Sequence, residues 1–230
     1  MSNRPVPTLS RVLSRLLLLL GILTTLLFLP AGRCDWPQAW ALILSFGTFL
    51  LLYALWGMVK DPPQLQERSR ADENVKRWDR VILGVYTALL PTVFIVAGFD
   101  AGRFCWSEVP VAVQALAWAG LVLAAALILW TAMTSTYLSR QARIQEDRGQ
   151  EVVSIRPYRR IRHPMYRGIL VLFLSLDPAL GSWCALIPSV AIDVLFIVRT
   201  AKEDRMLREE LPGYDDYARR VRYRLIPRIW

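Results

Sequence analysis

Long apolar runs alternate with short charged segments along most of this chain. Four of the runs approach the ~20 residues that a helix needs to cross a bilayer: Val12–Pro30, Ala39–Val59, Val81–Gly98 and Val111–Met133. Two shorter runs follow, Gly168–Leu176 and Trp183–Val198. Residues 168–180 would form only about 20 Å of helix, so we expect the shorter runs to form a hairpin that is tilted or does not fully cross. The pattern predicts an all-α integral membrane protein, a bundle of about six transmembrane helices.

Prolines and charges mark the ends of the predicted helices. Asp61-Pro62-Pro63 should end the second helix, because proline cannot continue its hydrogen-bond ladder. Gln64–Arg80 carries charges of both signs, which favours a solvated, partly helical loop. Pro91 should kink the third helix. Nothing before Gly149 breaks the fourth helix, which is predicted to continue to about Gln145.

The basic residues are distributed very unevenly about the predicted membrane. The chain has 230 residues, 54% of them hydrophobic, and a formal net charge of +9. Of its 28 lysines and arginines, 26 fall on one side and only Arg33 and Arg103 on the other. Basic loops are retained in the cytosol, so both termini are predicted to be cytosolic. Because the positive charge follows the topology, no nucleic-acid partner is expected.

The three cysteines, Cys34, Cys105 and Cys184, all fall at helix ends opposite to the basic loops. Their spacing is not that of metal ligands, so no metal is expected. Two alternatives stay open for them: unpaired apolar side chains, or one disulfide in an oxidising compartment.

Residues 156–168 combine reactive and basic side chains at the border between a polar segment and an apolar run. They read Arg-Pro-Tyr-Arg-Arg-Ile-Arg-His-Pro-Met-Tyr-Arg-Gly, with five arginines, two tyrosines and His163, the only histidine of the chain. A basic loop that only fixes topology would need no such order of residue types. We therefore treat this segment, called the motif below, as a candidate site.

A second pattern follows the last apolar run. Arg199 ends that run, and the acidic pair Glu203 and Asp204 follows one helical turn later. Gly213-Tyr214 and Ile226-Pro227 come after it. Taken alone, these residues predict an amphipathic, charged helix and a C-terminal peptide.

Together the two patterns resemble the signatures of the isoprenylcysteine carboxyl methyltransferase and phospholipid methyltransferase superfamily, over about residues 140–230. The resemblance implies a membrane enzyme that transfers a methyl group from S-adenosylmethionine (SAM) to a lipophilic acceptor. It implies a single domain over 1–230, with 1–135 as transmembrane scaffold and 140–230 as catalytic core. A cytosolic cofactor-binding segment, a C-terminal helix and a bacterial inner membrane are expected. The expected partners are the bilayer and a lipophilic or lipidated substrate, while the oligomeric state stays open.

The resemblance also implies which residues form the site. The expected cofactor-binding residues are Tyr158, Arg162, His163, Pro164, Tyr166, Gly168 and Glu203. Arg162 would bind the carboxylate of SAM as a two-pronged donor, and Glu203 or Asp204 would bind its ammonium. The rings of Tyr158 and Tyr166 suit a sulfonium or an adenine. The expected catalytic residues are Arg199, Glu203 and Asp204.

Arg199 would hold an acceptor carboxylate, oriented by an acidic residue one turn later.

Three positions depart from the family pattern. Relatives usually have histidine where Gln150 stands, glycine where Arg156 stands and glutamate where Asp204 stands. Glycine would allow a positive φ at the second position, which an arginine adopts only at a cost.

Several alternatives remain open at this level. Carboxyl O-methylation of an isoprenylcysteine-like substrate is the favoured reaction, with a phospholipid amine or a small thiol as other acceptors. A related NADPH-dependent membrane reductase would need a longer chain with more spans. A non-catalytic membrane protein of the same fold is the third class. Asp193, in the last apolar run, could serve a structural hydrogen bond or catalysis.

Overall fold

The computed structural model describes residues 8–68, 75–139 and 141–230, and within these ranges the chain is helical with no strand. Residues 69–74 of the predicted charged loop, Arg140 and Arg4 lie outside the described residues. The α-helices are α1 Leu9–Ala31, α2 Pro37–Lys60, α3 Pro62–Arg68, α4 Arg77–Ala97, α5 Val111–Ala132, α6 Pro164–Leu180, α7 Leu186–Glu210 and α8 Tyr214–Arg220.

Four helical segments of the described chain are long and apolar enough to cross a membrane: α1, α2, α4 with its continuation to Phe104, and α5. They coincide with the four long apolar runs, so an integral membrane protein is confirmed at this level. The predicted six spans are not confirmed, because α6 has only 17 residues and the 25-residue α7 ends in a charged stretch. Helices α6 and α7 do form the predicted hairpin, which reverses at Gly181 with a φ of 87°.

The sequence predicted a kink at Pro91 in the third span, but the irregularity lies at the end of that span. Helix α4 continues through Pro91, and the chain then adopts a wider π-helical winding over Gly98–Phe104. Glycine is required there by close packing on α1. A Cβ at Gly98 would lie 2.6 Å from the carbonyl oxygen of Leu27, and one at Gly102 would lie 2.4 Å from Cβ of Ala31.

Small residues also bring α5 and α6 together. A Cβ at Gly168 would lie 2.8 Å from Cγ1 of Ile128, and one at Gly120 would lie 2.2 Å from Oγ of Ser175. Within a bilayer, helices associate through such close backbone contacts rather than through the hydrophobic effect. The contact fixes α6, and therefore the motif at its start, against the membrane-spanning α5.

The prediction that the fourth helix continues to about Gln145 is wrong. Helix α5 ends at Ala132 because Gln64 of α3 takes over its terminal carbonyls: the Gln64 side-chain amide donates to the carbonyl oxygens of Ala132 (2.8 Å) and Ser135 (2.6 Å). Gln64 is therefore buried, as is Glu67, whose carboxylate pairs with Arg143 at 2.7 Å. The first part of the Gln64–Arg80 loop is thus packed protein rather than a solvated loop.

The two ends of the bundle differ in character. One end, called the basic end below, carries Lys60, Arg77, the motif and Arg199. Near the other end the three cysteines are free thiols, with Cys34 and Cys105 exposed. Asp177 and Asp193 are buried in the hairpin, and their carboxylate oxygens have no hydrogen-bond partner among the described residues. The structural hydrogen bond considered for Asp193 is therefore not found among the described residues.

Candidate functional site

A cavity of about 710 Å³ opens at the basic end, within the range of ~300–1,000 Å³ typical of small-molecule sites. The motif, α7, α8 and the connection from α5 surround its polar part. The polar and aromatic residues in its lining include Tyr137, Gln141, Gln145, Gln150, Tyr158, Arg162, His163, Tyr166, Arg199, Glu203, Tyr214 and Tyr217. Of the residues expected from the sequence, Pro164 also lines the cavity, whereas Gly168 and Asp204 do not.

Gly168 and Asp204 support the cavity from behind. Gly168 faces α5, where its missing side chain lets the two helices approach. Asp204 is completely buried beneath Arg162 and His163. The site residues predicted from the sequence thus divide into a group that faces the cavity and a group that holds that first group in place.

The motif begins with a tight turn over Arg156–Arg159, and α6 starts at Pro164. Arg156 adopts a φ of 54°, the left-handed conformation that the glycine of relatives would allow. A non-glycine residue pays roughly 1–2 kcal/mol for it. The hydrogen bond from the N–H of Tyr158 to the carbonyl of Ile155 (3.1 Å) closes the turn. As a result Tyr158 lines the cavity, while Arg156 and Arg159 lie on the outside of the bundle.

Protein oxygens accept hydrogen bonds from the three side-chain nitrogens of Arg162. Its Nε and Nη2 donate to the two oxygens of Asp204 at 2.6 and 3.0 Å. Its Nη1 donates to the carbonyls of Val221 (2.8 Å) and Arg222 (2.9 Å). The fork that was predicted to bind the cofactor carboxylate is therefore directed at Asp204 and at residues 221–230, called the C-terminal segment below, which it joins to the motif.

Asp204 is the centre of this polar network. Besides Arg162, it accepts hydrogen bonds from Nε of Arg224 at 3.0 Å and from the hydroxyl of Tyr214 at 3.1 Å. Nε2 of His163 lies 3.3 Å from its Oδ1. Burial alone would raise the pKa of Asp204, but the hydrogen bonds from His163, Arg162 and Arg224 hold the pKa well below its usual range. The carboxylate is therefore charged at neutral pH.

His163 is fixed from two sides. Its Nε2 contacts Asp204 and lies 3.4 Å from the hydroxyl of Tyr214, and its ring stacks on Tyr166 with a centroid distance of 5.8 Å. The main-chain N–H groups of Arg162 and His163 donate to the carbonyls of Tyr223 (2.9 Å) and Arg224 (3.0 Å). The C-terminal segment thus runs along the motif and locks its backbone.

Arg199 reaches the cavity from α7, and Asp79 of α4 orients it. Nε and Nη2 of Arg199 donate to the two oxygens of Asp79 at 2.7 and 3.3 Å. The main-chain N–H of Ala142 donates to the same carboxylate at 2.7 Å. The guanidinium also lies 5.4 Å from the ring centroid of Tyr166, a cation–π distance.

The two-pronged contact of Arg199 is made by Asp79, which the sequence interpretation did not anticipate, and orientation by Glu203 or Asp204 stays a prediction. Asp79 is a site residue that the sequence interpretation missed. Its signal was a carboxylate placed at the very start of an apolar span, where an unpaired charge would be costly. Glu203 instead accepts a hydrogen bond from the Tyr166 hydroxyl. It lines the cavity, and only one of its two carboxylate oxygens is engaged among the described residues.

Four tyrosines give the polar part of the cavity an aromatic wall: Tyr158, Tyr166, Tyr214 and Tyr217. The Tyr217 hydroxyl donates to the carbonyl of Tyr158 at 2.8 Å. Burial raises the pKa values of Tyr158 and Tyr217. Burial and the nearby Asp204 raise that of Tyr214. These hydroxyls therefore stay protonated and act as neutral donors around the site.

The remaining wall of the cavity is apolar and comes from membrane-spanning helices. Leu83, Tyr86 and Leu90 of α4 line it, together with Leu19 of α1 and Phe46 of α2. Leu19 and Phe46 are 49% and 39% exposed, so the wall is not sealed from the bilayer. The arrangement can place a polar, charged molecule beside an apolar one, with Arg199 and Tyr166 between the two parts.

Comparison with known proteins yields one finding. Residues 118–209 match the family model of isoprenylcysteine carboxyl methyltransferase (ICMT), a span that starts within α5 and includes the motif, α6 and most of α7. No curated protein matches the chain. The resemblance inferred from the motif is thereby confirmed, and it points to a membrane methyltransferase.

Proposed function

We propose that this chain, whose residues 118–209 match the ICMT family, is a SAM-dependent methyltransferase that methylates the carboxylate of a lipophilic, isoprenylcysteine-like acceptor. One observation carries the proposal: a single cavity joins a polar, aromatic part to an apolar wall contributed by membrane-spanning helices. When bound, SAM would supply an electrophilic methyl group on its sulfonium. The chain's own residues would then supply binding, orientation and exclusion of water.

The residues of the polar part fit the cofactor with one change from the expected roles. Glu203 has a carboxylate oxygen that can accept from an ammonium group, and the rings of Tyr158 and Tyr166 suit a sulfonium and an adenine. Because Arg162 is committed to Asp204, we assign it to positioning His163 and the C-terminal segment. The amide of Gln150, at the position where relatives carry histidine, lies in the same lining and can donate to a carboxylate.

The acceptor would approach along the apolar wall, and Arg199 would hold its carboxylate. A carboxylate of ordinary pKa, about 4, is ionised at neutral pH and needs no general base. Alignment of the two reactants can then supply most of the catalysis, on the order of 7–11 kcal/mol. Asp79 fixes the direction of the Arg199 guanidinium, and Tyr166 packs against its face. An amine or a thiol acceptor would use the same cavity without this carboxylate contact.

We place the cavity on the cytosolic side, with both termini in the cytosol of a bacterial cell and the bundle in the inner membrane. The support is the 26-to-2 division of basic residues between the two sides of the predicted membrane. The bilayer and a lipophilic substrate are the proposed partners. In this proposal the scaffold is residues 1–135 and the catalytic core is residues 140–230.

Titration calorimetry of the purified protein with S-adenosylhomocysteine tests the cofactor assignment. Binding is expected for the natural chain, and His163→Ala should weaken it about tenfold, since one lost hydrogen bond costs roughly 0.5–1.5 kcal/mol. Arg205→Ala, an exposed change on α7 outside the cavity, serves as the control. Absence of binding by the folded natural chain would contradict the proposal, and binding of NADPH in its place would favour the reductase class.

A further inference from the structure

A second groove, of about 790 Å³, lies along the outer face of α5 and α6. Its floor is apolar and consists of Leu123, Leu127, Trp130 and Val171. Its rim consists of four arginines of the motif, Arg156, Arg159, Arg160 and Arg167. The tight turn over Arg156–Arg159 separates this groove, called the arginine groove below, from the cavity described above.

The rim carries positive charge that no described residue neutralises. Arg156, Arg159 and Arg160 are exposed and Arg167 is half-buried. Within residues 8–68, 75–139 and 141–230, the side chains of these four arginines make no hydrogen bond or ion pair, and no carboxylate lines the groove. By contrast, Arg143, Arg162 and Arg199 nearby each face a carboxylate. Four guanidinium groups with no partner among the described residues therefore line one opening.

The floor continues directly onto a membrane-spanning helix. Leu123 and Trp130 belong to α5 and are 54% and 47% exposed, so they face the surroundings of the bundle rather than its interior. A ligand that satisfies both parts of the groove needs an anionic group at the basic end and an apolar chain that runs along α5. A free phosphate would use only the rim, and an acidic protein segment would leave the floor in contact with lipid.

We infer that the arginine groove binds an anionic phospholipid, with its phosphate among the rim arginines and an acyl chain on the floor. Arginine pairs with phosphate through two parallel, charge-assisted hydrogen bonds. The long arginine side chains can also reach from the apolar boundary to the headgroup level. This site is separate from the proposed methyl-transfer cavity and does not depend on that activity.

The test uses the full chain purified in a neutral detergent and measures ligand affinity by native mass spectrometry. The probes are dioleoylphosphatidylglycerol, dioleoylphosphatidylcholine and glycerol 3-phosphate, which lacks the acyl chains. Phosphatidylglycerol should bind at least tenfold more tightly than either of the others. Replacing the rim by Arg159→Gln, Arg160→Gln and Arg167→Gln together should lower that affinity at least tenfold, since each arginine near an anionic headgroup contributes to binding.

A matched control removes the same charge from the end of α8 and the segment after it: Arg220→Gln, Arg222→Gln and Arg228→Gln, all exposed and outside the groove. This control should change the affinity less than threefold. Equal losses in the two triple variants would overturn the proposal, because they would show a general charge effect. Glycerol 3-phosphate that binds as tightly as the lipid would overturn it in favour of a phosphate site. If the rim variant does not stay monodisperse, Arg160→Glu alone must meet the same tenfold threshold.

Discussion

Arg199 and Asp79 form a two-pronged contact that depends on the planar shape of the guanidinium. A lysine at position 199 would keep the charge but could not reach both carboxylate oxygens in that geometry. We expect Arg199→Lys to lower methyl transfer at least tenfold while the affinity for S-adenosylhomocysteine changes less than about threefold. Loss of a well-placed donor costs ~2.7–4 kcal/mol of transition-state stabilisation. Steady-state turnover and calorimetry on the same preparation give both numbers.

The matched control for this change is Arg205→Lys. Arg205 lies on the same helix, but its side chain is 80% exposed and pairs with Glu209 on the surface. This substitution should leave turnover and cofactor affinity unchanged. Normal turnover of Arg199→Lys would show that the acceptor is not a carboxylate held by this residue, and an amine or thiol acceptor would then be favoured.

At the scale of single residues, the sequence located the members of the site better than their partners. Tyr158, His163 and Glu203, which were predicted to bind the cofactor, all line the cavity, and their role there stays a prediction. The pairing of Arg199 with Asp79 was missed because the two residues are 120 positions apart, and only the packing of α4 on α7 brings them together. Burial and charge type can be anticipated from a sequence. The partner of a buried charge follows from tertiary structure.

The C-terminal segment and the motif behave as one structural unit joined at Asp204. The carboxylate faces Arg162 and Arg224, and Arg162 also donates to the carbonyls of Val221 and Arg222. Asp204→Asn would leave the buried Arg162 guanidinium without its counter-ion, and breaking a buried pair in this way typically costs ~3–5 kcal/mol. We expect a large drop in the melting temperature and release of the C-terminal segment to proteolysis.

Asp215→Asn provides the control for that change, because Asp215 is 45% exposed and its ion pairs lie on the surface. Such pairs contribute at most about 1 kcal/mol.

The pKa of Asp204 is lowered in the folded protein. Its contribution to stability is therefore present above the ordinary aspartate pKa of about 4 and is lost as the pH falls further. Thermal melts of the natural chain should show this acid-sensitive part, and melts of Asp204→Asn should lack it.

At the scale of helices, the apolar runs were sufficient to predict the hairpin and the four segments that are long and apolar enough to cross a membrane. The end of α5 was not predictable from local breakers, because Gln64, 68 positions earlier, caps Ala132 through its side chain. The conformation at Arg156 shows a related limit. The residue type disfavours a positive φ, yet the turn that separates the cavity from the arginine groove imposes a φ of 54°.

For the whole molecule, the division of basic residues predicts which side each end of the bundle faces. In a chain whose native cysteines are replaced by serine, single cysteines at Glu151 or Asp216, both exposed at the basic end, should resist a membrane-impermeant maleimide added to intact cells. Labelling should occur after the membrane is permeabilised. Chains that retain only Cys34 or only Cys105 supply the control, because both thiols are exposed at the opposite end and should react from outside. Reaction of position 151 or 216 in intact cells would contradict the predicted topology.

The architecture of the cavity could be predicted only in outline at this scale. Two sequence patterns predicted that the polar groups lie at one membrane surface, and in the structure these groups share one cavity at the basic end of the bundle. The apolar wall comes from α1, α2 and α4, which carry no motif and could not be assigned to the site from the sequence. Their contribution follows from how the bundle packs.

The contacts between the motif and the C-terminal segment impose an order on the biosynthesis of the protein. The main-chain N–H groups of Arg162 and His163, and Nη1 of Arg162, donate to carbonyls of residues 221–224, some 60 positions later in the chain. At ~5–20 residues per second, the ribosome needs roughly 3–12 s to add them. During that interval the motif has been synthesised but lacks its partners in residues 221–224. The nascent chain therefore passes through a stage, lasting seconds, in which α1–α5 have been synthesised and the candidate site is not yet assembled.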